Sequence, residues 1–207
     1  MSVFLGDKRI RYAYIGSKKV SKIYLGSHLI YGDQVLEYDF MPKGGVANKQ
    51  VYVVKASYIP ADGIIRIPEK VLMIDPDGKP IECNVVCIQY QAFWGWPSIK
   101  QVILPDGLIY IDQAAFYQCY GLQKINIPRS VKEIGGNNVI SGSSVGSVFA
   151  GCKNLTSATF DNTSGWSVQP YAGAAEKISA TDLEDPTIAV GYLKTKYVYM
   201  RWFNETK

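Results

Sequence analysis

Apolar residues in the middle of the chain recur at a fixed offset. The segment Ala92-Phe93-Trp94-Gly95-Trp96-Pro97-Ser98-Ile99-Lys100-Gln101-Val102-Ile103-Leu104-Pro105 is echoed 23 residues later by Ala115-Phe116-Tyr117-Gln118-Cys119-Tyr120-Gly121-Leu122-Gln123-Lys124-Ile125-Asn126-Ile127-Pro128. The units continue past each proline, where Pro105-x-x-Leu108-x-x-Ile111 matches Pro128-x-x-Val131-x-x-Ile134. An earlier copy, Pro68-x-x-Val71-x-x-Ile74, follows Ile65-Arg66-Ile67, and a later partial copy starts at Val148-Phe149-Ala150-Gly151-Cys152 and ends at Phe160. A period of this size marks a solenoid, in which each unit buries its apolar edge against the next.

Within one unit the alternation of Ile125 and Ile127 predicts a short strand with both side chains inward, joined in the core by Leu122. Pro128 cannot donate to a ladder, so the strand ends there. Val131 and Ile134 return the chain to the core, and Ala115-Phe116 packs a second apolar corner. Two stretches interrupt the beat, 75–86 and 135–146. Both are rich in turn-forming residues and read as surface loops. In the second, Val139 and Ile140 beside Asn137 and Asn138 either form a contact tip or fold back on Val148 and Phe149.

A shorter beat governs the N-terminus. Phe4-Leu5-Gly6, Tyr14-Ile15-Gly16 and Tyr24-Leu25-Gly26 recur every 10 residues, and Ile10, Val20 and Ile30 follow in step. Each copy reads as strand, Gly-Asp or Gly-Ser turn, strand. Hairpins this short bury little surface alone, so the module needs a partner, and Phe4, Ile10, Tyr14, Val20, Tyr24 and Ile30 are the candidate assembly residues. At the other end, Thr181-Asp182-Leu183-Glu184-Asp185-Pro186 predicts a helix start. Ile188, Val190, Tyr192 and Leu193 then form a helical stripe, and 197–203 reads as a strand. This tail is expected to cap the solenoid, with an oligomer interface as the alternative.

The pattern Ala-Phe-x-x-Cys-x-x-Leu-x-x-Ile-x-Ile-Pro-x-x-Val-x-x-Ile resembles the BspA-like leucine-rich repeat, as does the turn Asp77-Gly78-Lys79-Pro80-Ile81. The resemblance covers 58–160, with three to four units, and Trp96 stands where the repeat has Cys. It implies a curved β-solenoid of the kind found on cell-surface adhesins and some phage-borne proteins. The N-terminal motif is similar to the Tyr-Leu-Gly-Ser repeats of phage tail and fibre proteins, where it implies attachment or assembly. The expected fold is therefore mainly β: a hairpin-repeat module at 1–32, a connecting strand or linker at 33–57, a short leucine-rich-repeat β-solenoid at 58–160, and a small α+β C-terminal cap at 161–207.

Composition narrows the function classes. The 207 residues are 47% apolar and 19% charged, which is globular rather than disordered. A net charge of +4 is too small for a dedicated nucleic-acid binder. No apolar run is long enough for a transmembrane helix, so no membrane insertion is expected. The first residues do not read as a signal peptide, which fits assembly in a host cytoplasm and release in a virion. The single histidine, His28, reads as a surface turn residue rather than a base or ligand. Cys119 and Cys152 share one repeat position and read as buried apolar residues, and Cys83 and Cys87 lie on an insertion with too few ligands for zinc. Glu82, Asp106, Asp112 and Glu133 are expected on solvated repeat turns. No metal, no cofactor and no catalytic site are expected.

Two surfaces are candidates for binding. The strands expose a row comprising Arg66, Gln101, Ile103 and Lys124, continued by Asn126, Ser157 and Thr159, with donors and acceptors at steps of about 4.8 Å. The alternative is an ordinary solvated sheet face. Trp94, Trp96, Tyr117 and Tyr120 follow the Phe corners and suit stacking on a sugar or filling a protein pocket. The alternative, favoured for the two tryptophans, is a second apolar layer covered by the insertions or the tail. The function expected from these features is a non-enzymatic phage virion protein of tail or fibre type. It attaches to other virion proteins through its N-terminus, recognises a host-surface glycan or protein, and forms a homo-oligomer, a trimer being favoured. The alternatives are a purely structural virion component (head decoration, head fibre or baseplate) and a bacterial cell-surface adhesin of the same repeat type.

Overall fold

The structure, a computed structural model, describes residues 36–136 and 147–205, and before residue 36 only the backbone of six short strands. These are β1 (Val3–Leu5), β2 (Lys8–Ile10), β3 (Ala13–Ile15), β4 (Lys18–Val20), β5 (Ile23–Leu25) and β6 (His28–Tyr31). They form three antiparallel pairs, with Val3 opposite Ile10, Ala13 opposite Val20 and Leu25 opposite His28. His28 thus opens a strand rather than sitting in a turn. The side chains of Phe4, Ile10, Tyr14, Val20, Tyr24 and Ile30 lie outside the described residues, as do Asn137, Asn138, Val139 and Ile140.

The rest of the chain comprises β7 (Leu36–Phe40), β8 (Gln50–Ala56), β9 (Ile64–Arg66), β10 (Lys70–Ile74), β11 (Pro80–Ile88), β12 (Gln101–Ile103), β13 (Tyr110–Asp112), β14 (Lys124–Ile127), β15 (Glu133–Gly136), β16 (Ser157–Phe160), β17 (Trp166–Gln169) and β18 (Glu176–Lys177). After them come α1 (Ala180–Glu184), α2 (Pro186–Gly191), a π-helical turn (Tyr192–Lys196) and β19 (Arg201–Asn204). Each repeat contributes one strand to each of two sheets. The smaller sheet has the order β16-β14-β12-β9 and is parallel throughout. The larger runs β18-β17-β19-β15-β13-β11-β8-β7, with β10 paired to β11, and its centre from β8 to β15 is parallel. This is a mainly β repeat structure with a short C-terminal helical segment.

The core follows from the period. Parallel strands hold equal repeat positions side by side, so Ile65, Val102, Ile125 and Ala158 form one buried row and Ile111 and Ile134 another. At the corner, Phe93, Phe116 and Phe149 stack with nearly parallel rings, with centroids 5.2 and 5.5 Å apart and interplanar angles of 4° and 9°. The spacing is slightly above the about 4.8 Å between strands, so the ring faces touch without strain.

The structure corrects several expectations. The 75–86 stretch is not a surface loop: only the turn at its start is, and β11 carries the repeat strand of the larger sheet. The copy around Val71 and Ile74 becomes β10, an antiparallel hairpin partner outside the parallel stack. Residues Val85, Val86, Cys87 and Ile88 are all buried, an apolar run that suits a central strand, whereas β10 begins on exposed Lys70. Gly135 and Gly136 belong to β15, not to a loop. In the tail, Pro186 splits the helix, and Asp185 caps the second part by accepting from the Thr187 and Ile188 N–H groups. Ile188 is exposed, so the inward stripe is Ala189, Val190 and Leu193. The tail strand begins only at Arg201.

Asp112 and Glu133 are strand residues and buried, not solvated turn residues. Arg201 explains Glu133. Its Nε and a terminal nitrogen donate to the two carboxylate oxygens at 2.8 and 3.0 Å, tying β19 to β15. The same strand brings Trp202 against Phe160 and Trp166, with centroids 6.0 and 6.3 Å away. α2 packs on β16, covering the last strand of the smaller sheet.

Candidate functional site

The exposed face of the smaller sheet is built by alternation. With Val102 and Ile125 inward, their neighbours must point out. Gln101 pairs with Ile64 on one side and Lys124 on the other, and Lys124 pairs with Ser157. Ile103 pairs with Arg66, and Asn126 with Thr159. All seven residues expected on this face are on it; Arg66, Ile103, Lys124, Asn126 and Thr159 are exposed, and Gln101 and Ser157 half-buried.

Hydrogen bonds order part of the face. The Thr159 hydroxyl donates to Asn126 Oδ1 at 2.7 Å, and Asn126 Nδ2 donates to Asp161 Oδ2 at 3.2 Å. Arg66 donates to Asp62 at 3.0 Å. The Ile64 N–H and then the Arg66 guanidinium hold the Asp62 carboxyl below its usual range, so it is ionised and keeps Arg66 in place.

At the strand ends an open groove of about 620 Å³ is lined by Asp106, Arg129, Ser130 and Asp161. Ser130 Oγ accepts from the Gly107 N–H at 3.0 Å, linking successive turns. Sequence reasoning did not single out Arg129, Ser130 or Asp161 as binding residues. The available signal was positional: the groove residues follow the strand-ending Pro105, Pro128 and Phe160, so stacking brings them together. Face and groove together offer carboxylate, guanidinium, ammonium, amide and hydroxyl groups. Among the described residues no group of His, Cys, Asp and Glu is arranged to hold a metal ion.

The aromatic residues divide. Trp96 is half-buried and packs against the core. Trp94 is 46% exposed, and its ring meets that of Tyr117 in a T-shaped contact at 5.4 Å. Tyr120 is also exposed, with the Lys153 ammonium 5.3 Å from its ring centre.

The repeat cysteines are structural. Cys119 Sγ donates to the Phe93 carbonyl at 2.9 Å, and Cys152 Sγ donates to that of Phe116 at 3.1 Å, each reaching back one unit. Burial pushes the Cys152 thiol up to about 12 and Cys119 further above the ordinary thiol range. The folded chain is therefore expected to resist thiol-specific labelling at pH 8 at both positions, with reaction appearing only at denaturant concentrations that unfold it. The sign for stability follows: both states keep the Cys152 proton below an unfolded value of about 9, and this thiol's contribution is lost as pH rises from there to about 12. A urea midpoint falling between these values checks it.

The geometry defines a class, a mainly β, two-sheet repeat structure of the leucine-rich-repeat type with a short C-terminal helical segment. Within it, residues 80–164 match the BspA type leucine rich repeat region in six copies, more than the three to four units legible around the Phe corners. A leucine-rich repeat protein from Bacteroides ovatus is 26% identical, over 63% of this chain and 29% of that one, with a TM-score of 0.48. A leucine rich cell surface protein from Faecalibacterium prausnitzii is 23% identical over 63% of this chain and 31% of that one, with a TM-score of 0.46. The alignment with each thus spans less than a third of that protein's length. A leucine-rich repeat protein from Bacteroides capillosus is 18% identical over 69% of this chain and 99% of that one, with a TM-score of 0.38. No curated protein matches the chain.

Proposed function

We propose that the chain is a non-enzymatic recognition protein of the bacterial cell-surface leucine-rich-repeat kind, binding a protein or glycan of another surface through the smaller sheet and its strand-end groove. The register-matched polar row carries this reading. It presents Gln101, Lys124 and Ser157 on adjacent strands beside the ordered Asn126–Thr159 pair, a regular donor and acceptor array next to a groove. The BspA-type match over 80–164 fits the cell-surface reading, because that repeat is of the kind found on cell-surface adhesins, and it lends no support to a tail or fibre role in particular. To test it, labelled protein is titrated onto bacterial and epithelial cells, alongside an Arg66→Glu/Lys124→Glu double variant. Both substitutions are at exposed positions and the first gives up the surface pair with Asp62, so the variant should lose little stability and still melt cooperatively. Saturable binding weakened at least about tenfold in the variant is expected, about 1.4 kcal/mol. No saturable binding, or equal binding by both proteins, overturns the proposal.

A virion role remains the second reading because of the ten-residue Tyr-Leu-Gly beat at the N-terminus. In it the module at 1–32 docks on other virion proteins and the chain assembles as a homotrimer. Immunogold labelling of phage particles separates the two, since label on particles with bare uninfected cells selects the virion.

A further inference from the structure

The corner opposite the groove, where each unit enters the smaller sheet, carries an arrangement the sheet-face reading does not use. Backbone bonds from Gly95 N–H to the Tyr117 carbonyl and from Gln118 N–H to the Ala150 carbonyl set the register. They place Trp94 beside Tyr117 and then Ala150, and Gly95 beside Gln118 and then Gly151. The second row is left-handed throughout, with φ of +74°, +58° and +77°. Two units fill it with glycine, the residue that adopts this conformation freely. The middle unit has Gln118, at a cost of about 1–2 kcal/mol. Such strain persists where the surrounding structure holds it, as it also does four residues earlier in each unit at Gln91, Ala114 and Ser147 (φ of +60°, +55° and +60°), so what sets Gln118 apart is its contact with Trp94 at a candidate binding position.

Gln118 is placed to serve such a position. Its Oε1 accepts from the Trp94 indole N–H across the unit boundary at 3.4 Å. That bond and the T-shaped contact with Tyr117 fix the plane of a ring that is nearly half exposed. With its carbonyl oxygen turned to Trp94, the amide has its NH2 as donor. On the other side of Gln118 the aromatic row steps down to Ala150 and Gly151. Tyr120 and the Lys153 ammonium over its ring border the same corner.

We propose that Trp94, Tyr117, Gln118 and Tyr120 form a stacking site for a pyranose ring, making the ligand class of this corner a hexopyranoside glycan. A hexopyranose presents one C–H face, which lies flat on an indole, and a rim of hydroxyls, which pair with an amide NH2 and an ammonium. A protein hot spot would instead want an apolar pocket ringed by further contacts. This corner exposes Trp94 and Tyr120 beside an amide and an ammonium. The site is separate from the sheet face, so either can fail alone.

The test uses the full chain with nitrogen-15 tryptophan, titrated with methyl β-glucoside, methyl β-galactoside and methyl β-N-acetylglucosaminide. The Trp94 indole signal is assigned from Trp94→Phe. A saturable shift of that signal with at least one glycoside is expected, at the millimolar affinity ordinary for single sugars, unchanged in the Arg66→Glu/Lys124→Glu variant. Gln118→Gly should melt at or above the parent temperature, because the strain is gone, yet bind at least about fivefold more weakly, about 1 kcal/mol. A cooperative melt of this variant shows that it folds. The proposal is overturned if no glycoside moves the Trp94 signal saturably, or if Gln118→Gly binds as tightly as the parent.

Discussion

Phe116→Ala lowers the unfolding free energy by about 3–5 kcal/mol, read from urea melts followed by circular dichroism. Phe116 is the middle ring of the corner stack and fully buried, with Phe93 and Phe149 on its two faces. Truncation removes its buried area and leaves a cavity that neither neighbour can fill, because each is held to its own coil by the backbone ladder. Stacked units share these contacts, so the loss falls on two interfaces at once. Phe116→Leu should cost roughly half as much, since it keeps most of the volume. An alanine variant within about 1 kcal/mol of the parent would mean that the ring stack contributes little to unit coupling.

Gly121→Ala is the second large effect, at about 3 kcal/mol, near the upper range for an inserted methyl. A Cβ at this position would lie 2.8 Å from the Ile99 carbonyl oxygen and closer still to that of Pro97. Both obstacles are backbone of the preceding unit, so no side-chain rotation relieves the clash. The coils must separate instead, just before Gln123 bonds back to Lys100. The expected signature is a lower midpoint with a reduced denaturant slope, as units 92–105 and 115–128 lose coupling; an unchanged midpoint would show that the coils part easily.

Much of the repeat core was legible in the sequence. The 23-residue offset placed Ile125, Ile127, Val131 and Ile134 inward, and the same unit read across the 135–146 insertion put Cys119 level with Cys152; all six are buried. Alternation alone also assigned Gln101, Lys124 and Thr159 to one exposed face, because a parallel ladder preserves repeat position. The aromatic corner was half legible. Motif spacing selects Trp94 and Trp96 equally, and only the chain path determines that Trp96 meets the core while Trp94 stays in solvent.

What the sequence determines by itself is whatever its period encodes: the repeating unit with its one short strand, the inward rows, and the strand ends at proline. That Tyr110–Asp112 and Glu133–Gly136 form strands of a second sheet was decided by the fold. The tertiary structure decides what depends on residues far apart and outside the beat. β11 could not be recognised as a repeat strand, because it lacks the motif and is defined by its parallel partners β8 and β13. The burial of Glu133 could not be foreseen without Arg201, 68 residues away, which neutralises it. The groove of Asp106, Arg129, Ser130 and Asp161 exists only once the turns are stacked. Periodicity is a local property of the chain, whereas charge pairing and concavity arise from contacts that the fold alone creates.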